Sequence, residues 1–252
     1  MFINTEGIIL RQTKTVGGRR MILLFTKKYG KISAGTGINE KGKSKAALAM
    51  RPFTYGNYQL YKNKDYYNID SAEVVKSYYK IGENVDKYMC SSFALELTEK
   101  VIPEDQPNPK IFNLIIDFFD AIENREKRFE TLVIAYEVKL LQSLGIMPEI
   151  KSCACCGAGG KHKVFSVADG GIICENCANN VAKETNDTLI YEADFGIVDI
   201  LEYFASKSLA SFEKIALEEA TARKVQRILK SYISYHLDVG DLKSESFFRE
   251  SF

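Results

Sequence analysis

Over the first 80 residues the apolar positions fall in short runs with a period of two. The β-prone runs 6–11, 21–26, 31–36, 53–61 and 66–74 are separated by turn-forming stretches: Gly17-Gly18, Lys28-Tyr29-Gly30, 35–42 and Asn63-Lys64-Asp65. Between Phe53 and Lys62 the alternation puts Phe53, Tyr55 and Tyr61 on one face and Tyr58, Leu60 and Lys62 on the other, as in a strand buried on one side. Five such strands in this length predict a small closed or nearly closed barrel of OB type.

After Lys80 the period lengthens. Val85, Tyr88, Met89, Ser92, Phe93, Glu96 and Leu97 step by three and four, and only two of the seven are polar. Pro107-Asn108-Pro109 predicts the start of a second helix through Ile111, Phe112, Ile115, Phe118, Phe119 and Ile122. A third runs from Phe129 through Tyr136 and Leu140 to Leu144, stopped by Gly145 and Pro148. Residues 150–181 break the pattern, and helical periodicity returns at 194–206 and again from Glu218 to about Leu237. No run approaches the roughly 20 apolar residues that span a bilayer, and the opening Met1-Phe2-Ile3-Asn4-Thr5-Glu6 lacks the features of a signal peptide. The expectation is a soluble, cytoplasmic protein without a membrane partner.

The break at 150–181 holds five of the six cysteines. Cys153/Cys156 and Cys174/Cys177 form two C-x2-C pairs with 17 residues between the inner ligands, within the spacing of zinc knuckles. Gly157 follows the first pair, and Gly170-Gly171 precedes the second where a turn would bring the chain back. Four thiolates complete a tetrahedron at about 2.3 Å from Zn2+ and leave no position for an activated water, so one structural zinc is expected. Cys155 fits neither pair and reads as a spare thiol, and Cys90 reads as a core residue.

Charge separates the two ends of the chain. Residues 1–80 carry 15 Lys and Arg against 5 Asp and Glu, whereas the whole chain carries 34 against 33. A basic N-terminal segment joined to an acidic remainder points to a polyanion partner. The candidate phosphate-contacting residues are Lys14, Arg19, Arg20, Lys27, Lys28, Lys31, Lys41, Lys43, Lys45 and Arg51, with Tyr29, Tyr55, Tyr58, Tyr66 and Tyr67 as candidate stacking rings. Gly37-Ile38-Asn39-Glu40-Lys41-Gly42-Lys43-Ser44 matches a phosphate-binding loop literally. Its surroundings argue against a nucleotide site, because such a loop must lead from a parallel α/β sheet into a helix. His162 and His236 have no nucleophile at motif spacing, so no catalytic residues are expected.

Taken in order, several segments resemble the RecO family of bacterial recombination mediators. They are Glu6-Gly7-Ile8-Ile9-Leu10, Leu23-Leu24-Phe25-Thr26, Tyr29-Gly30-Lys31-Ile32-Ser33, the basic loop 37–45, Arg51-Pro52-Phe53, Ser71-Ala72-Glu73, Leu144-Gly145-Ile146-Met147-Pro148 and the four-cysteine site. Val16-Gly17-Gly18-Arg19 departs from the acidic and polar turn common there. The resemblance implies a DNA repair and recombination mediator of the RecFOR pathway, nucleoid-associated and not an enzyme. It would bind single- and double-stranded DNA, anneal complementary strands, and contact RecR and the C-terminal tail of single-strand-binding protein to help load RecA. Some members lack the cysteines, so zinc is not general to the activity.

The expected fold is a multidomain α+β chain. An OB-fold DNA-binding barrel occupies 1–80, an α-helical domain 81–149 and 182–252, and a four-cysteine zinc ribbon is inserted at 150–181. An OB barrel serves either nucleic acid, so a zinc-ribbon RNA-binding protein is the competing reading. A nucleotide-hydrolysing enzyme built on the 37–44 loop is the third.

Overall fold

The structure is a computed structural model of the 252-residue chain and describes residues 1–14, 20–38, 42, 44–64, 66–160, 162–184, 189–193, 196–212 and 214–245. Two compact units make up the α+β fold. The first holds Met1–Arg125 with the described residues from Leu242 onward, the second Glu126–Asp241.

In the first unit, strands β1 (Phe2–Lys14), β2 (Arg20–Thr26), β3 (Gly30–Thr36), β4 (Thr54–Asn63) and β5 (Tyr66–Ser77) lie in the order β1-β2-β3-β5-β4, and β4 returns to pair with β1. All pairings are antiparallel except β3 with β5, which is parallel over Ala34↔Tyr67 to Thr36↔Ile69. Register shifts at Ile9/Arg11 on β1, and at Tyr55/Gly56 and Gln59/Leu60 between β4 and β5, supply the bends a sheet needs to curl onto itself. Inside lie Ile3, Ile22, Leu24, Ile32, Tyr58, Leu60 and Ile69. Helix α1 (Lys45–Ala49) adds Ala49 and Met50 to this cluster.

The β4 alternation matches the reading from sequence, with Tyr58 and Leu60 buried and Tyr61 exposed. One consequence corrects an expectation: Tyr58 is 1% exposed and donates to Ala49 O at 2.8 Å, so it is a core residue and no stacking platform. Its phenol is pushed up by burial, which keeps the proton available for that bond.

Helices α2 (Tyr79–Gly82), α3 (Val85–Val101) and α4 (Pro109–Asn124) belong to the same unit. Asn84 and Asn108 cap α3 and α4, accepting from Lys87 N and Ile111 N. The two longer helices pack on the barrel through aromatic edges: Phe25 on Phe112 at 5.4 Å, and Phe53 on Tyr88 at 5.3 Å and Phe119 at 5.8 Å. The stripe expected on α3 is only partly the buried one. Phe93 and Leu97 are buried as expected, but Val85 and Tyr88 are exposed, and Cys90, Ser91, Ala94 and Thr98 face inward instead. Short side chains there let the helix approach closely, and apolar residues around its circumference make periodicity a poor guide to the face.

The second unit is built around α5 (Phe129–Leu144), twelve of whose residues are buried beneath α7 (Ile197–Ser206), a 3-10 turn (Leu209–Phe212) and α8 (Glu219–Leu237). Buried Glu137 accepts from Gln226 Nε2 at 3.0 and 3.1 Å, and Lys139 donates to Ala205 O at 2.7 Å. The remaining elements are β6 (Val164–Ser166), β7 (Gly171–Ile173), α6 (Glu175–Glu184) and β8 (Ile190–Glu192). No helix among the described residues is long and apolar enough to cross a membrane.

Two contacts generate tests. Gly30 has φ +73°, and a Cβ there would stand 2.3 Å from Gln106 O. Gly30→Ala is therefore expected to lower the urea midpoint by the equivalent of about 2 kcal/mol or more, with unchanged m, from left-handed strain plus the clash. Glu96 accepts from Ser244 Oγ at 2.6 Å, Ser244 N at 2.9 Å and Lys243 N at 3.0 Å. Burial pushes its carboxyl up, but these donors outweigh it and hold it below its ordinary value of 4.5. This contact stabilises the fold above pH 4.5 and is lost as pH falls through the lowered pKa. The Ser244 amide resonance should titrate below pH 4.5, and in Glu96→Gln that titration should vanish.

Candidate metal centre and nucleic-acid surface

Cysteines 153, 156, 174 and 177 converge at the root of a small sheet of order β7-β6-β8. Strands β6 and β7 form a hairpin in register from Val164↔Ile173 to Ser166↔Gly171, with Phe165, Ile172 and Ile173 buried. Gly171 has no side chain because Glu149 passes over it: an added Cβ would lie 2.2 Å from Glu149 O. Glu149 N in turn donates to Gly170 O, and Ile172 N donates to Glu149 O. This crossing, with Ala154 N donating to Ile172 O at 2.8 Å, lays the first knuckle against the hairpin that leads to the second.

Each knuckle is then a local turn. Gly157 N donates to Cys153 O at 2.8 Å with Gly157 at φ +73°, and Cys153 N donates to Ala158 O at 2.9 Å. In the second, Cys174 directly precedes α6 and Cys177 lies in its first turn, where the helix dipole favours thiolates. All four sulfurs lie within 4.8 Å of one another, with Cys156 Sγ and Cys174 Sγ 3.8 Å apart. A tetrahedron with metal–sulfur bonds of about 2.3 Å has edges of about 3.8 Å, so the donor set fits one thiophilic divalent ion.

The thiols are unequal in acidity. Burial pushes Cys153 up, but amide donors from Cys156, Cys174 and Cys155 overcome it and lower the thiol to about 6. Cys177 is pushed up, first by its hydrogen bond to Cys174 and next by Cys156. Ionisation of Cys153 thus opposes that of Cys177, and a cation at the centre would reverse that relation. Cys155 is exposed, with its thiol pushed up to about 11 by burial and then by the Asp169 carboxylate. Cys90 is buried in α3.

The ten cations singled out from sequence are not one cluster. Lys14 and Arg20 face each other across the β1–β2 register. Arg51 is exposed just past Met50, whose carbonyl accepts from Gln12, and Lys45 is exposed at the start of α1. Towards the other end of β2, Lys28 is exposed, and Lys27 pairs with Glu6 at 2.7 Å, which holds that carboxyl low. Lys31 Nζ donates to Glu99 O at 2.8 Å. Arg19, Lys41 and Lys43 lie outside the described residues, as does part of the 37–44 loop. Ser44 at the end of that loop spends its hydroxyl capping α1, accepting from Ala47 N at 3.1 Å. Of the candidate rings, Tyr66 is exposed, Tyr29, Tyr55 and Tyr67 are half-buried, and Tyr58 is enclosed.

Comparison with known families covers both units. Residues 1–78 match the family described as Recombination protein O N terminal, and residues 82–246 match Recombination protein O C terminal. The chain belongs to the RecO family. Among RecO relatives, the DNA repair protein RecO of Alkaliphilus metalliredigens is 30% identical over 94% of this chain and 95% of its own. That of Caldanaerobacter subterraneus subsp. tengcongensis is 28% identical over 98% and 97%. The DNA repair protein RecO of Bacillus pumilus is 25% identical over 99% and 94%.

Removing one sulfur leaves three donors for a site that needs four. Cys174→Ser is expected to lower bound zinc from about one equivalent to near zero, measured by metal analysis of purified protein. Residues 150–181 should become protease-sensitive in the same variant.

Proposed function

We propose that this chain is a DNA repair and recombination mediator acting by binding and bridging rather than by catalysis. Its five-stranded barrel, of OB type, would hold single- and double-stranded DNA, bring complementary strands together, and with RecR help load RecA onto DNA coated by single-strand-binding protein. The tail of the latter is a further partner, in the cytoplasm at the nucleoid. Zinc held by Cys153, Cys156, Cys174 and Cys177 would fasten the ribbon and take no part in the reaction.

The observation that carries this reading is the exposed cations Lys14 and Arg51, with Arg20, around one end of β1 and β2, and exposed Lys45 at the start of α1, in a chain matched to the RecO family over both units. Side chains so placed meet phosphates without reading bases, and their contribution is set by counterion release.

The test is binding and annealing of matched DNA and RNA oligonucleotides by the full-length protein across a salt series. Lys45→Glu/Arg51→Glu should weaken single-strand binding more than about tenfold at low salt and reduce the slope of log K on log salt by about 1.4, at about 0.7 per lost phosphate contact. Binding indifferent to salt, or a strong preference for RNA, would overturn the reading.

A further inference from the structure

The barrel carries an exposed aromatic strip that its own packing does not require. Phe2 at the start of β1 is 57% exposed, Tyr61 near the end of β4 is 41% exposed, and Tyr66 opening β5 is 52% exposed. Phe2 and Tyr61 are paired residues on adjacent strands, with ring centroids 5.3 Å apart and planes at 61°. Their strand neighbours Ile3 and Leu60 fill the interior, so the two rings project from the outer side of the sheet. In an edge-to-face pair the edge of one ring covers one face of the other, and the remaining ring faces are left for a further partner.

The surroundings are amide and cationic. The next outward pair along β1 and β4 is Asn4↔Gln59, and Asn63 Nδ2 donates to the Tyr66 hydroxyl at 2.6 Å. Lys64 is exposed in the turn after Asn63, whereas Lys62 is turned to the other face of β4 with its Nζ 5.1 Å from the Tyr67 ring centroid. On the β2 side, the backbone N–H of exposed Lys28 donates to Thr5 Oγ1 at 3.4 Å, beside the same stretch of β1. Planar rings, carboxamides able both to donate and to accept, and lysines at the margin complement an unpaired base: stacking for its face, amides for its edge, cations for its phosphate.

We propose that Phe2, Tyr61 and Tyr66 form a base-stacking platform for single-stranded DNA, flanked by Asn4 and Gln59 as base-edge contacts and by Lys64 in the turn after β4 as a phosphate contact. This rests on the DNA-binding reading above and adds a division of labour. The cations near Lys14 and Arg51 bind any phosphate backbone, whereas the platform engages only strands whose bases are unpaired. It therefore gives the barrel a preference for single strands over duplex that phosphate contacts alone do not supply.

The experiment compares full-length protein and variants on three probes of matched length: oligothymidylate of about 15 nucleotides, the same backbone with abasic sites, and duplex. Wild type should bind oligothymidylate more tightly than the abasic strand. Tyr61→Ala and Phe2→Ala should each weaken oligothymidylate binding by roughly 5-fold to 100-fold, as expected for one lost stack, and leave abasic and duplex affinity unchanged. Tyr61→Phe keeps the ring and should behave as wild type, which separates loss of stacking from loss of fold. If wild type binds all three probes and the alanine variants bind oligothymidylate as wild type does, the platform is overturned while the DNA-binding reading stands. If wild type binds none of them, both fall together.

Discussion

Strand β1 is hydrogen-bonded on both sides, to β2 along one edge and to β4 along the other, and the first unit depends on that double pairing. A five-stranded sheet left open would present two rows of unpaired backbone groups; closure removes them and turns one face wholly inward. The helices of the same unit are then placed against a closed sheet. The helices α3 and α4 dock on its wall through Phe112, Phe119 and Phe53, and Lys31 is tied at both its amine and its carbonyl, to Glu99 O and Asp105 N.

Much of this architecture was legible in the residues, because its signals are local. Period-two runs located the five strands within a few residues, and Pro109, Gly145 and the cap Asn108 marked helix ends by backbone chemistry that needs no tertiary context. The cysteine pairs were equally readable, since two knuckles of fixed spacing leave few other arrangements. What escaped was non-local. Tyr58 looked like any other barrel tyrosine until its hydroxyl was found on Ala49 O, and α3 hid its buried face among apolar residues on every side. Strand β8 is three residues long and lies beyond the cysteine segment, yet it completes the ribbon's sheet through Val164↔Glu192 to Ser166↔Ile190.

The placement of the basic residues was legible only in kind. Net charge indicated a basic module, but not that Lys27 and Lys31 are occupied by Glu6 and Glu99 O, nor that Lys14, Arg20 and Arg51 gather near one end of the strands. Phe2 and Tyr61 went unnoticed because they stand 59 residues apart and meet only through the β1–β4 register. A search for aromatics at positions that alternation turns outward would have found them.

The anchoring of α1 sets how this part of the chain can diverge between relatives. Ala49 O is held by Tyr58 in the barrel interior, Met50 O by Gln12, and the first turn by the Ser44 hydroxyl, while Thr36 ends its strand in register with Arg20. Between these anchors, Ile38 also packs against the barrel's core cluster, so the described start of the segment is held by a side chain of its own. Strand pairing through Thr36 and capping through Ser44 use no lysine side chain, so a relative can change the lysine content of this stretch without losing either anchor.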